Sequence, residues 1–165
     1  MQKDSVDRMI DAWAGTQPDL DVSPLEVAGR LLLCAYHLQQ SLTEALQPLG
    51  LTFPDFDVLN TLRRHADPTG TNPTDLADSA LITTGAMTSR LHRLEQAGLI
   101  RRVPDPADGR AVRVNLTPRG RALAKRALTK VLAADETFLA PLTSSQRGEV
   151  AGTLRQLLLA VEARS

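Results

Sequence analysis

The stretch from Asn72 to Thr117 constrains the fold most, because its pattern is two short helices followed by two strands around a basic turn. The second helix ends at Gly98, a residue type that is favoured just after helix C-termini. Its apolar positions share one face, at Met87, Leu91 and Leu94. Its opposite face is polar and carries Gly85, Ser89, His92 and Arg93. Two short helices joined by a tight apolar turn predict a helix-turn-helix whose second helix turns polar side chains outward.

Two short strands are predicted at residues 99–103 and 111–116, where apolar and polar residues alternate. The turn between them contains prolines, aspartates, Gly109 and Arg110. An arginine at a hairpin tip can enter a narrow minor groove of DNA, where the potential is most negative. A solvated loop arginine is the alternative for Arg110. With the polar-faced helix before it, the hairpin indicates a DNA-contacting surface.

Long amphipathic helices flank this stretch. The residue pattern predicts helices over residues 4–14, 24–49, 53–65 and 118–139, and a last helix that begins with a capping box at Thr143. The helix over 24–49 carries apolar residues at heptad spacing, a stripe suited to packing against other long helices. The chain is therefore predicted to be mainly helical with one small hairpin.

The charged residues are segregated along the chain, although the formal net charge is zero. Residues 1–89 carry five Lys/Arg and twelve Asp/Glu, whereas residues 90–130 carry eleven Lys/Arg and three Asp/Glu. Local positive charge, not the total, sets the attraction to phosphate. The basic segment fits either a nucleic-acid surface or an ordinary solvated face.

Several functional classes are disfavoured by the sequence. No apolar run is long enough for a membrane span, and no secretory signal precedes the first helix, so we expect no membrane partner and a cytoplasmic location. The three histidines have no metal-ligand spacing, and phosphate-loop and serine-elbow motifs are absent. We therefore expect no catalytic residue, no metal and no cofactor.

Five motifs together resemble the multiple-antibiotic-resistance regulator (MarR) family of bacterial winged-helix transcription factors. The resemblance covers nearly the whole chain, and its motifs are Phe56–Leu59, Met87–Leu91, Leu94–Ile100, Asp105–Arg110 and Val112–Gly120. The resemblance implies a mainly α fold with a small β wing, in which a winged helix-turn-helix domain is joined to a helical dimerisation region. It implies one MarR-type domain over residues 1–165, with a dimerisation region at 4–50 and 118–164, an extra N-terminal helix, and a DNA-binding lobe at 53–117.

The resemblance also implies the partners. A homodimer would bind a pseudo-palindromic operator in double-stranded DNA, with half-sites about one helical turn apart. A small anionic effector would release it, since repression is the family's usual mode. Winged-helix geometry assigns the contacts to phosphate, the major groove and the minor groove to Thr74, Thr83, Thr84, Ser89, Arg93 and Arg110.

A narrower resemblance is to the urate-responsive branch of this family, whose members carry a tryptophan on an extra N-terminal helix. In that branch a tryptophan, an aspartate and two arginines form an effector pocket, and the matching positions here are Trp13, Asp57, Arg90 and Arg102. Two guanidiniums can bind a planar anion bidentately, and an indole can stack on it. Urate and other purines are the leading candidates, followed by small aromatic or polycarboxylic acids.

Two other functions remain open from the sequence. Cys34 is the single cysteine, and it would be the sensor in a redox-responsive regulator, although a lone cysteine is more often a small apolar residue. A winged helix can also serve only for protein contacts. The polar outer face and Arg110 argue against that, because a protein-docking face carries apolar anchors.

Overall fold

The computed structural model describes residues 2–65, 67–79, 87–106, 108 and 111–164. Within these residues the chain is mostly helical, with one two-stranded antiparallel sheet, which confirms the predicted fold class. The helices are α1 (Ser5–Thr16), α2 (Pro24–Leu46), α3 (Phe53–His65), α4 (Pro73–Ser79), α5 (Met87–Gln96), α6 (Pro118–Leu139) and α7 (Ser144–Glu162). The strands are β1 (Ile100–Pro104) and β2 (Val112–Leu116).

The second helix is shorter than the sequence predicts. It leaves the α conformation after Leu46, and a single 3₁₀ turn follows over Gln47–Leu49. Pro48 explains the change, because proline has no N–H to continue the ladder and its ring clashes with the preceding turn. Gly50 then ends the turn with a φ of 68°, a conformation that favours glycine.

The chain divides into two compact units, one ending at Ser41 and the other beginning at Leu42, so α2 contributes to both. In the first unit, Asp4 forms a capping box with Asp7 at the start of α1. Arg30 of α2 donates Nε to Asp4 at 2.8 Å and Nη2 to Asp7 at 2.7 Å. The buried Val6 packs at Gly29, where an added Cβ would lie 3.2 Å from a Val6 methyl. These contacts hold α1 against α2.

The second unit is built on α3, α6 and the hairpin. Thr117 caps α6 by accepting the N–H of Gly120, and its hydroxyl lies 2.8 Å from the Gly98 carbonyl. A Cβ at Gly120 would lie 1.9 Å from the Leu99 carbonyl oxygen, so only glycine fits there. The Thr-Pro-Arg-Gly run at residues 117–120 therefore brings the start of α6 against the turn before β1.

The hairpin pairs Ile100 with Leu116 and Pro104 with Val112. The middle of β2 is attached to the loop before α4. Thr71 makes a bridge with Val114 in β2, with N···O distances of 3.0 and 2.9 Å in the two directions. These bonds hold β2 beside the start of α4.

Large apolar side chains remain exposed on α2 and α7. No residue of α7 is buried, and its exposed side chains include Val150, Leu154, Leu157, Leu158, Leu159 and Val161. On α2 the exposed set includes Val27, Leu31, Leu32, Leu33 and Tyr36. Large apolar side chains that are exposed on one helix in this number are typical of an association face. None of the described helices is both long enough and apolar enough to span a bilayer.

Candidate nucleic-acid interface and ligand site

Helix α5 is held by its apolar face. Met87, Leu91 and Leu94 are buried in the second unit, while Ser89 and His92 are exposed on the other side. This is the division that the sequence predicts for a helix whose outer face meets a partner. The N-terminal side of the predicted helix, with Thr83 and Thr84, lies outside the described residues.

Arg93 is both exposed and anchored. It donates from Nη2 to Oδ1 of Asp55 in the first turn of α3. The Asp55 side chain is 6% exposed and also accepts from the Thr52 hydroxyl at 2.7 Å, whereas the Arg93 side chain is 59% exposed. One edge of the guanidinium therefore fixes α5 to α3, and much of the side chain remains accessible to a phosphate.

Thr74 lies exposed in the first turn of α4, where its backbone N–H donates to the Asn72 side chain at 2.9 Å. Asn72 thus caps α4. Thr74 is accessible to a ligand, as a phosphate contact requires. Arg110, the predicted minor-groove residue, lies outside the described residues.

Arg113 of β2 fixes the hairpin near its turn, a role that the sequence alone did not suggest. Its Nε donates to Asp105 at 2.7 Å, and its Nη1 donates to the Gly70 carbonyl at 2.9 Å and lies 3.5 Å from Asp67. The hydrogen bond from Arg113 to Asp105 raises the pKa of the guanidinium. Hydrogen bonds from Thr69 hold the pKa of Asp67 below its usual 3.8. The alternation of β2 was the only sequence signal, since it placed Arg113 on the polar side.

The guanidinium groups of Arg90 and Arg102 each have two buried nitrogens that make no hydrogen bond among the described residues. Within the described part of the chain, Nε and Nη1 of Arg90 and Nε and Nη2 of Arg102 are buried and make no hydrogen bond. The Nε of Arg102 lies 3.4 Å from a Glu95 carboxylate oxygen, an ion-pair distance with poor hydrogen-bond geometry, and the Arg102 backbone N–H donates to the same carboxylate at 3.1 Å. A buried N–H donor that makes no hydrogen bond costs free energy, commonly about 1–3 kcal/mol. Such groups indicate a place for an external acceptor.

Asp57 is buried in α3, with 3% of its surface exposed. It belongs to the same compact unit as Arg90 and Arg102, in which α5 packs against β1. Trp13 lies on α1 in the other unit and is 39% exposed. Three of the four predicted ligand residues therefore lie in one unit, each buried or half-buried.

Cys34 is exposed on α2. Within its unit it is therefore not packed as a small apolar core residue. Among the described residues, no group of three His, Cys, Asp or Glu side chains could hold a metal ion. The chemistry that the described residues offer is anion recognition by arginine, together with a polar helix face.

Comparison with known proteins agrees with this geometry. The MarR family model matches residues 49–111. The HTH-type transcriptional regulator PecS of Dickeya dadantii is 34% identical over 157 residues, covering 95% of this chain and 92% of PecS.

Solved relatives match the fold as well. Rv2887 of Mycobacterium tuberculosis, a HTH-type transcriptional repressor, is 42% identical over 73% of this chain and 84% of its own length. The structure of Rv2887 with salicylic acid has a TM-score of 0.60, with 39% identity over 79% of this chain and 95% of that chain. A cysteine-to-serine mutant of Escherichia coli MarR, solved with operator DNA, has a TM-score of 0.72, with 28% identity over 84% of this chain and 96% of that chain.

Proposed function

Because this chain belongs to the MarR family of transcriptional regulators, we propose that it is a repressor that a small organic anion releases from its operator. It is a regulator and not an enzyme, in keeping with the relatives that it matches over most of their length. The observation that carries the ligand part of the proposal is the set of buried guanidinium nitrogens, two on Arg90 and two on Arg102, that make no hydrogen bond among the described residues.

The effector would supply the missing acceptors. A carboxylate or a planar oxyanion can accept two parallel N–H bonds from one guanidinium, which gives both affinity and orientation. Asp57 would disfavour an anion nearby unless its own contacts changed, and Trp13 would stack on an aromatic ring. The four residues Trp13, Asp57, Arg90 and Arg102 form the proposed effector site.

Arg90 connects this site to DNA binding. It lies on α5, the helix that also carries Ser89 and Arg93, which we assign to contacts with the operator. A ligand shifts an equilibrium only through different affinities for its two states. An effector that binds better when Arg90 is displaced from its DNA-bound position would therefore lower operator affinity. Thr74, Thr83, Thr84 and Arg110 complete the proposed DNA contacts.

The exposed apolar faces of α2 and α7 support a homodimer. A C2 dimer buries the same surface on both copies, and its symmetry matches a pseudo-palindromic operator. We expect a change of Leu158 to glutamate to yield monomers in analytical ultracentrifugation, because a charge cannot be buried in an apolar interface without a partner. Gln156→Glu, on the same exposed helix, is the charge-matched control. A dimer that survives Leu158→Glu would contradict this interface.

The effector class can be resolved between purines and aromatic acids. Urate and xanthine fit the four-residue site by analogy with the urate-responsive branch, and the salicylic acid complex of Rv2887 supports an aromatic carboxylate. Quenching of Trp13 fluorescence by urate, xanthine or salicylate would rank them. No response to any of these three anions would reject the proposed effector site.

The central experiment measures operator binding by fluorescence anisotropy, with DNA from upstream of this protein's own gene. We expect sequence-selective binding that weakens as salt rises, because the contacts to phosphate release counterions. The effector should weaken binding to the wild type and to Arg101→Gln, but not to Arg102→Gln. Both variants replace an arginine of β1 by glutamine and so remove the same charge. The two arginines are neighbours in sequence, and their side chains point to opposite faces of the strand. Absence of selective binding at low salt would reject the regulator function itself.

A further inference from the structure

A second group of basic residues surrounds a cavity that the proposed function does not use. The cavity measures about 890 Å³ and lies in the second unit, between the end of α3, β1 and the first turns of α6. Four cationic side chains line it, and we call it the basic groove after them: Arg63, Arg101, Arg121 and Lys125. Leu116, Pro118 and Ala122 provide an apolar wall.

The four cations converge without counter-ions. No ion pair joins any of them to a carboxylate in the described parts of the chain. Like charges that face one cavity repel each other, and the repulsion is stronger beside the protein than in bulk water. A bound anion would remove this repulsion.

The basic groove and Arg102 of the proposed effector site use neighbouring residues of β1. Successive side chains of a strand point to opposite faces of a sheet. Arg102 meets Glu95 of α5, whereas its neighbour Arg101 lines the groove with α3 and α6. Neither Arg102 nor any described residue of α5 lines the groove.

An adjoining cavity of about 320 Å³ extends the groove and shares Arg101, Arg121 and Leu116 with it. Its carboxylate, Asp67, already pairs with Arg113, and its Asn115 amide donates to the Thr69 carbonyl. The acidic end is therefore occupied by contacts within the protein. The uncompensated positive charge belongs to the basic groove.

We propose that the basic groove binds a small organic anion with at least two negative charges and an apolar body. Arginine forks pair with phosphate and carboxylate alike, so organic phosphates and polycarboxylates share the required chemistry. The cavity volume falls within the roughly 300–1,000 Å³ of ordinary small-molecule sites, which favours a metabolite over a macromolecule. The apolar wall would contact the body of the ligand while the four cations hold its charges.

Titration calorimetry of the full chain tests this, with ADP and citrate as the probes for the two sources of charge. We expect Lys125→Gln to raise the Kd of the bound probe about tenfold, the effect of losing one charge-assisted hydrogen bond. Lys130→Gln is the control, because it removes the same charge from the same helix outside the groove. It should leave the Kd unchanged within about twofold.

A second comparison separates this site from the proposed effector site. Arg101→Gln should weaken binding of the probe and leave the response of operator binding to the effector intact. Arg102→Gln should leave probe binding intact and remove the response to the effector. Failure of both probes to bind at about 1 mM, which corresponds to only about −4 kcal/mol, would overturn the proposal. Equal weakening by Lys125→Gln and Lys130→Gln would also overturn it, because the binding would then follow net charge alone. So would a loss of operator affinity in Lys125→Gln with no change for the probes, since the groove would then contact DNA phosphate.

Discussion

Arg93 of α5 and Asp55 of α3 form an ion pair that joins the exposed face of one helix to the buried first turn of another. The carboxylate is fixed from the other side by the Thr52 hydroxyl at 2.7 Å. A residue that we assign to DNA is thus held in place before DNA arrives. Preorganisation of this kind lowers the entropy that binding costs.

The first prediction concerns this pair. Arg93→Ala should weaken operator binding on all sequences and reduce the slope of log K against log salt by about one, as expected for one lost phosphate contact. The measurement is anisotropy over a range of salt concentrations. Lys130→Ala removes a positive charge elsewhere and should leave the slope unchanged.

Asp55→Asn separates positioning from contact. It keeps Arg93 but removes the charge that orients it, so the salt slope should persist while affinity falls. An unchanged affinity in Asp55→Asn would show that the ion pair does not position Arg93 for DNA.

Gly120 permits the close approach of α6 to Leu99. Gly120→Ala should destabilise the protein by about 2–4 kcal/mol, because a Cβ placed 1.9 Å from the Leu99 carbonyl oxygen requires the backbone to move. Urea unfolding measures the change. Gly148→Ala in α7 is the control, since nothing lies within 4 Å of its added Cβ, and it should stabilise by about 0.5–1 kcal/mol. Equal effects of the two changes would contradict the close-packing argument.

The Asp67 carboxylate should make the hairpin sensitive to acid. Hydrogen bonds from Thr69, with a smaller contribution from Arg113, lower its folded-state pKa below 3.8. A carboxyl group whose pKa is lower in the folded state stabilises that state at pH values above its unfolded-state pKa. This stabilisation is lost as the pH falls through the folded-state pKa. The difference in unfolding free energy between wild type and Asp67→Asn should therefore be positive at pH 7 and shrink below about pH 4.

The control for this pH dependence is Asp19→Asn, in the exposed connection between α1 and α2. Its unfolding free energy should differ little from that of the wild type, both at pH 7 and below about pH 4. A difference for Asp67→Asn that does not change with pH would mean that the stabilisation does not depend on the charge of this carboxylate.

Arg30 should determine how firmly α1 is held. Its two hydrogen bonds to the capping box are partly exposed to solvent, with 38% of the Arg30 side chain accessible, so solvent screens them. Arg30→Gln should then speed hydrogen exchange of the α1 amides about fivefold. Lys3→Gln removes only the local pair with Asp11 and should have little effect beyond the first turn. Exchange that is unchanged in Arg30→Gln would show that Val6 packing alone holds the helix.

The sequence by itself determined the elements of this protein and their order. The alternation of β2, the capping box at Thr143 and the apolar stripe of α5 are local patterns, and each depends on the period of a single element. They sufficed for the fold class, and with the motif from Val112 to Gly120 they indicated the family. Local chemistry also predicted where α4 begins, since a cap involves only neighbouring residues.

The tertiary structure decided which charges meet. Arg93 pairs with Asp55, Arg113 with Asp67 and Arg30 with Asp4, and in each pair the two residues are far apart in the sequence. The same is true of the basic groove, whose cations come from α3, β1 and α6. Ion pairs and burial depend on distances across the fold, which no single-element period encodes. For that reason the sequence could nominate Arg90 and Arg102, but only the structure shows that two nitrogens of each guanidinium are buried without a hydrogen bond among the described residues.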